Sequence, residues 1–523
     1  MKSLTVITTL LALMCQPGAS AQQTPRASAP IVDTIVVVTR NVFGDEEARS
    51  SLLFRAANSI HITTRAVVVR RELLFKVGEA YDSARVAETE RNLRRLGIFR
   101  DVTIDSVRIG SRLAVVVVTA DGWSTQIQLS AYSTGGTFSW YAGLAEQNLL
   151  GTATRAGAFY RDEPDRTATT FSIGMDRAFG SSVAVGGLYD RLSDGDRGGW
   201  NIGVPWRTLT DRYSFQLAGA AGRERILRFR DGDSTDAIQR RSFVQTVNYG
   251  RALSATNAGY FRVGLAGQVY RAEHVAYADT GLAIPDSVTG VVGVFAELNR
   301  ARFKVVTHYN GFNRDFDVDL SSRISMTAWF APTGFGYDKT GIGADVAVQT
   351  GTSIGRGFAT LHASANALFN STGVDSGQAW VGVTLATLPF ARHATVFHVQ
   401  AGAQRGVAFG AEYDVGHGVG PRGFKPHAFT GTRMLWGSLE HRAFLVDEVL
   451  GVMGFGVAAF VDYGGAWFSD QPRRMGGDVG VGIRIGATRS AGPNVGRLDL
   501  AYKFGDGFDD SRWVVSFGRG FAF

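Results

Sequence analysis

The chain carries few strings that resemble catalytic chemistry, and their setting argues against each. Gly351-Thr352-Ser353-Ile354-Gly355 has the spacing of a nucleophile elbow, which requires a strand turning sharply into a helix and a distant Asp and His. Here Phe358-Ala359-Thr360-Leu361 follows, which reads as another alternating strand. Gly418-Val419-Gly420-Pro421-Arg422-Gly423 has dinucleotide-loop spacing, but no buried strand precedes it and Pro426 interrupts any helix beginning there. The nine histidines fall into no ligand spacing, and His393 and His398 alternate to opposite faces of one candidate strand. The expectation is a protein that is not an enzyme and holds no metal or cofactor. More promising are charges on otherwise apolar strands. Glu440 and Arg442 share one parity, Asp462 shares another with Phe460 and Gly456, and aliphatic residues occupy the alternate positions.

Such charges need an environment that excludes lipid but tolerates polarity. The 523 residues include 65 glycines and 34 phenylalanines, with 45% hydrophobic and 19% charged residues. A helical membrane span requires about 20 consecutive apolar residues, and none occurs beyond the N-terminus. A β-barrel crosses a bilayer on alternate residues, and so with neutral mean hydropathy. From about Ser124 onward the text repeats strand and turn. Leu498, Leu500, Tyr502 and Phe504 alternate with Arg497, Asp499, Ala501 and Lys503. Val479, Val481, Ile483 and Ile485 alternate with Asp478, three glycines and Arg484. Apolar residues toward lipid, with small and charged residues inward, is the barrel pattern. Trp513, Val515, Phe517, Phe521 and the terminal Phe523 form a lipid-facing C-terminal stripe. Residues 123–523, at roughly 25 per strand and connection, predict about 16 antiparallel strands.

Residues 1–21 read as a secretory signal: Lys2, an apolar run from Leu4 to Met14, and Ala19-Ser20-Ala21 before the cut. The single cysteine, Cys15, lies within it, and Met14 before it is too large for the usual lipidation signal. Residues 22–30 are a tether. Residues 31–122 predict one small β-α-α-β-β domain. Its strands are Asp33–Thr39, Asp101–Arg108 and Arg112–Thr119, and its helices run from Thr64 to Val77 and from Asp82-Ser83 to Gly97. The net charge of +7 is dispersed, with no basic stripe interleaved with aromatics, so nucleic acid is not an expected partner.

Several strings together resemble the BamA/TamA superfamily of outer-membrane assembly barrels. Arg422-Gly423-Phe424, in a loop starting near Tyr413, resembles the family's conserved loop signature. Leu439-Glu440-His441-Arg442 resembles its next strand. Phe460-Val461-Asp462-Tyr463-Gly464 resembles its acidic strand motif, and Gly480-Val481-Gly482-Ile483-Arg484 follows in the family's order. Asn148-Leu149-Leu150-Gly151 fits the first hairpin. Leu73–Tyr81 and Arg91–Val102 resemble a single POTRA domain. Tandem POTRA arrays are usual in the best-known relatives, and Pro421 replaces the aliphatic residue usual before the triplet.

The resemblance implies a location in the outer membrane of a Gram-negative-type cell, with the POTRA-like domain in the periplasm. It also implies assembly or insertion of outer-membrane proteins, or polypeptide translocation, with a dedicated secretion pore for a partner exoprotein as the alternative. Implied partners are unfolded outer-membrane or secreted polypeptides, membrane lipids, and a periplasmic or inner-membrane-anchored protein. Substrate would add a strand along the sheet edge at Val102, Ile104 and Val107. A seam would join Thr125–Thr134 to the last strand, Arg512–Phe521. Arg422 is expected to pair with Asp462, and with Glu440 second, as a lock holding the loop in the lumen; the alternative is that these are ordinary lumenal charges balancing one another.

Overall fold

In the computed structural model of the chain, residues 30–519 are described, apart from 111, 135–136, 231, 277–283, 407, 417–418, 492–494 and 508–510. The predicted signal, nearly all of the tether, and Phe521 and Phe523 lie outside the described residues.

The N-terminal part is a three-stranded sheet with helices. β1 (Val32–Arg40) runs parallel to β3 (Arg112–Asp121), and β2 (Phe99–Ile109) lies antiparallel on the other side of β3. β3 alternates buried and half-buried residues, and Val115 and Val117 are fully buried. They pack with Val69, Phe75, Val86, Leu93, Ile98 and Phe99 in one core. Helix Ser83–Arg95 starts where the sequence places it, with the Asp82 carboxylate accepting from the N–H groups of Ala84 and Arg85. The other expected helix is shorter than predicted, Ala66–Glu72. Two further helices, Asp45–Ser50 and Leu52–Ile60, stand between β1 and that helix, so the helix count of the β-α-α-β-β expectation is corrected to four.

The rest is a closed antiparallel barrel of 20 strands among the described residues, not 16. The difference lies in the connections. The expected spacing allowed generous loops, whereas many links are as tight as Ser371–Thr372, between strands Gly357–Asn370 and Gly373–Thr387. Alternation runs as the sequence predicts. Leu498, Leu500, Val481, Ile483, Trp513, Val515 and Phe517 are exposed on the outer surface, while Asp478, Arg484, Asp499 and Lys503 are buried inside. An outer wall of exposed aliphatic and aromatic side chains around a charged interior is the surface of a membrane-spanning barrel.

Alternate connections lie at the same end of an antiparallel barrel, and the N-terminal domain sits against one set of them. Glu72 pairs with Arg177, Glu88 accepts from the Leu209 N–H, and Asn257 donates to Asp82. Two connections are long and fold inward. At the domain end, residues 301–321 form a hairpin of Phe303–Thr307 with Asp315–Asp319. At the opposite end, residues 406–432 contribute the short paired strands Tyr413–Val415 and Phe429–Gly431.

Candidate functional site: a charged cluster in the barrel lumen

Four neighbouring strands supply the cluster: Arg433–Val449, Met453–Trp467, Gly476–Ala487 and Val495–Gly505. Their register sets Ser438 opposite Asp462 and Asp462 opposite Asp478, so inward residues of adjacent strands meet side by side. The 406–432 loop carries Arg422 down onto this row. Its Nε donates to Asp462 Oδ2 at 2.6 Å and its Nη2 to Asp462 Oδ1 at 3.1 Å; Nη1 donates to Glu440 Oε2 at 2.7 Å. Asp499 is a further neighbour at 3.7 Å, and the Arg422 guanidinium carbon lies 3.7 Å from the centre of the Phe460 ring. Arg422 is 1% exposed and Glu440 fully buried, so the pairing works where solvent does not screen it.

The next two loop residues are fastened as well. The Gly423 N–H donates to Asp478 Oδ2 at 2.8 Å. A side chain at Gly423 would come within 3.1 Å of both that oxygen and the Lys503 stem, and would have to push them aside by a few tenths of an ångström. Phe424 packs with Val415, Phe429, Met434, Trp436 and Ala466 in a small apolar cluster. Gly464 lies on the wall beneath it, where an added Cβ would overlap the Trp436 Cβ.

Glu440 is shared. Besides Arg422 it accepts from Arg442 Nε at 2.7 Å and Arg484 Nη2 at 3.2 Å. Arg442 also donates through Nη1 to the Tyr309 carbonyl at 3.0 Å and to Asn310 Oδ1 at 3.3 Å. Tyr309 and Asn310 belong to the hairpin that enters from the domain end, so one carboxylate ties together segments from both mouths. The hairpin is anchored by Phe312, which packs on Ala394, Phe444 and Val495 and fills the space over Gly454 and Gly486. At its base Arg94 of helix Ser83–Arg95 grips Asp317 with two hydrogen bonds, at 2.6 and 2.9 Å. Arg314 donates to the Phe99 carbonyl at 2.8 Å.

The sequence placed Arg422, Gly423, Phe424, Glu440, Arg442, Asp462 and Gly464 at one site, and the structure brings them together. It adds Asp478, Asp499 and Arg484, whose inward parity was visible although their partners were not. It also adds the 301–321 hairpin, whose short strands look like barrel text in sequence. The edge residues separate. β2 is an outer strand of its sheet, but Val102 lies in the domain core, Ile104 packs partly against it, and Val107 is exposed. The Ile104 N–H is occupied by Glu90 at 3.0 Å. Any strand added there would bind through backbone and would displace Glu90. Among the described residues, one register pair, Ser516 with Tyr132, joins the last strand Trp513–Arg519 to the first, Thr125–Thr134. Ten pairs join the first strand to the second.

Ser353 lies in the strand Gly341–Ile354, which turns at Gly355 directly into Gly357–Asn370. That is a hairpin, without the helix an elbow requires. Among the described residues no group of three or more His, Cys, Asp or Glu side chains could hold a metal ion.

No family model and no curated protein matches the chain. Solved structures do. BamA from Haemophilus ducreyi lacking POTRA domains 1–3 aligns over 94% of this chain and 84% of its own, at 12% identity and a TM-score of 0.39. CdiB from Escherichia coli aligns over 97% and 92%, at 11% identity and 0.46. CdiB from Acinetobacter baumannii aligns over 99% and 96%, at 10% identity and 0.40. Scores this low say nothing of function. BamA and CdiB barrels are among the solved structures this chain aligns with, and BamA is a type that the sequence motifs resemble.

Proposed function

We propose that the protein is an outer-membrane factor that inserts or translocates polypeptides, receiving them at its N-terminal domain and releasing them through the barrel. The observation that carries this reading is the lumenal cluster. A passive pore does not need its interior filled from both ends by segments tethered to shared buried carboxylates. A barrel that must stay shut at rest and yield to a substrate does. The tethers are ionic and directional, so they hold firmly until a competing chain or a shift of one segment breaks them.

The N-terminal domain stands in this reading as the POTRA-like, periplasmic part, with the β2 edge as docking strand. Among the described residues one register pair, Ser516 with Tyr132, makes the join between first and last strands, against ten between the first and second, and this favours insertion through the wall over passage along the axis. Dedicated secretion of one partner exoprotein is the second reading, and would require both inward segments to leave the lumen.

The test is reconstitution in liposomes with an unfolded model barrel, with and without residues 31–122. Protease-protected product that accumulates faster with the domain present supports the insertase. Ion conductance without such acceleration points to the secretion pore.

A further inference from the structure

Helix Leu52–Ile60 is strongly two-faced. At 3.6 residues per turn, Leu52, Leu53, Ala56 and Ile60 fall within about 100° of one another around its axis. All four are exposed: Leu52 at 75%, Leu53 at 78% and Ile60 at 73%. The opposite face is fastened to the domain. Phe54 stacks on Phe43 with ring centres 4.1 Å apart, the Asn58 side chain donates to the Phe43 carbonyl at 2.8 Å, and Asn41 donates to the Asn58 carbonyl at 3.1 Å. The helix therefore cannot roll to hide its leucines without breaking these contacts.

This helix and its neighbour Asp45–Ser50 are also held against turns at the barrel's domain end. Arg489, in the turn after strand Gly476–Ala487, donates to Glu47 Oε1 at 2.7 Å and to the Gly451 carbonyl at 2.8 Å. A side chain at Gly451 would come within 3.2 Å of the Phe54 ring. Gly451 follows Leu450, which is 80% exposed, and strand Arg433–Val449 carries exposed Leu445 and Val446 on its way to that turn. The helix is thus held, through Phe54, beside the turn where the barrel's lipid-facing strand ends, and its apolar face is left uncovered. Arg49 and Arg55 are exposed beside it, where guanidinium groups on long stems reach phosphate while the stems lie along acyl chain.

We propose that Leu52, Leu53, Ala56 and Ile60 seat this helix in the bilayer itself, in the headgroup–acyl boundary of the leaflet on the domain side. The occupant is lipid because the helix is held beside the turn where the lipid-facing wall ends, and exposed arginines suited to phosphate accompany its apolar face. An apolar face of this kind in water would cost stability, whereas burial in the interface returns it. The seat fixes the height and tilt of the N-terminal domain under the strands 433–505 that carry the charged cluster.

The test uses the full chain in phospholipid vesicles. Its one cysteine, Cys15, is replaced by serine, so that each variant carries a single label. Leu53→Cys and Ile60→Cys, each carrying an environment-sensitive fluorophore, are compared with Val107→Cys, exposed on the edge strand β2. The expected result is blue-shifted emission at 53 and 60, quenched at least threefold more than at 107 by lipids bearing a nitroxide near the headgroup. Equal quenching at all three positions overturns the proposal. So does a blue shift at 53 and 60 without lipid quenching, since the cover is then protein.

Discussion

The Arg422 guanidinium and the Asp462 carboxylate meet edge to edge, Nε to Oδ2 and Nη2 to Oδ1, with both side chains buried inside the barrel. Arg422 is brought there by a loop from one mouth. Through Glu440 and Arg442 the same cluster holds a hairpin from the other mouth. One shared set of charges thus holds segments from both mouths in the interior.

Removing Arg422 takes from Asp462 the cation it pairs with, while Glu440 keeps Arg442 and Arg484. Arg422→Ala is expected to cost about 3–5 kcal/mol, the range for breaking a buried pair on one side. It should appear as a lower yield of heat-resistant folded barrel and as noisier conductance. Arg422→Lys should recover only part, because an ammonium cannot satisfy Asp462 with two parallel hydrogen bonds and Glu440 with a third. If Arg422→Ala keeps wild-type yield and noise, the cluster is not a lock.

Gly464 tests packing without touching charge. A methyl there overlaps Trp436, so Gly464→Ala should destabilise by about 1–3 kcal/mol and loosen the pocket under Phe424. Faster proteolysis of residues 406–432 would report it.

The sequence made the loop triplet Arg422-Gly423-Phe424 legible through its resemblance to a known family, and the strand charges legible because barrel parity is strict. One residue in two faces inward, so Glu440, Arg442, Asp462, Asp478 and Asp499 could be assigned to the lumen before any contact was known. Glycine-rich inward faces were equally visible, yet their purpose was not: Gly454 and Gly486 are small because Phe312 of a distant hairpin lies on them. The hairpin itself was hidden, since Phe303–Thr307 and Asp315–Asp319 alternate as wall strands do. Strand number was misjudged because composition reports how much chain is barrel and not how tightly its turns close. The two helices of residues 45–60 escaped because six- and nine-residue segments give little periodicity to read.

The hairpin should respond to the domain that grips it. Arg94→Gln or Asp317→Asn removes the bidentate pair, and amide exchange across residues 303–319 should then rise roughly tenfold, equivalent to about 1.4 kcal/mol. The double variant should exceed neither single by more than the error, because both remove one interaction. Unchanged exchange in both singles would mean that the domain does not hold the hairpin.

The outer end of the 406–432 loop should respond to pH. His427 lies at the rim between Asp165 and Asp414 and is stacked on Phe229. Burial disfavours its charge, but the hydrogen bonds and charges of the two carboxylates outweigh that and push its pKa up to about 9. A folded pKa above the unfolded value near 6.5 gives stabilisation that is complete below about pH 6.5 and is lost as pH rises through 9. Protease sensitivity of the loop should therefore rise between pH 7 and pH 10. His427→Gln should be sensitive throughout, with no such step; a step that persists in His427→Gln would assign it to another group.

The central claim is that the barrel opens at the join between its first and last strands to pass substrate into the membrane. Ser516→Cys with Tyr132→Cys places cysteines at the pair that joins the first and last strands, and insertion of an unfolded model barrel in liposomes is compared before and after oxidation. The account predicts that the oxidised protein loses the acceleration and that reduction restores it. Full activity with the seam covalently closed would contradict it.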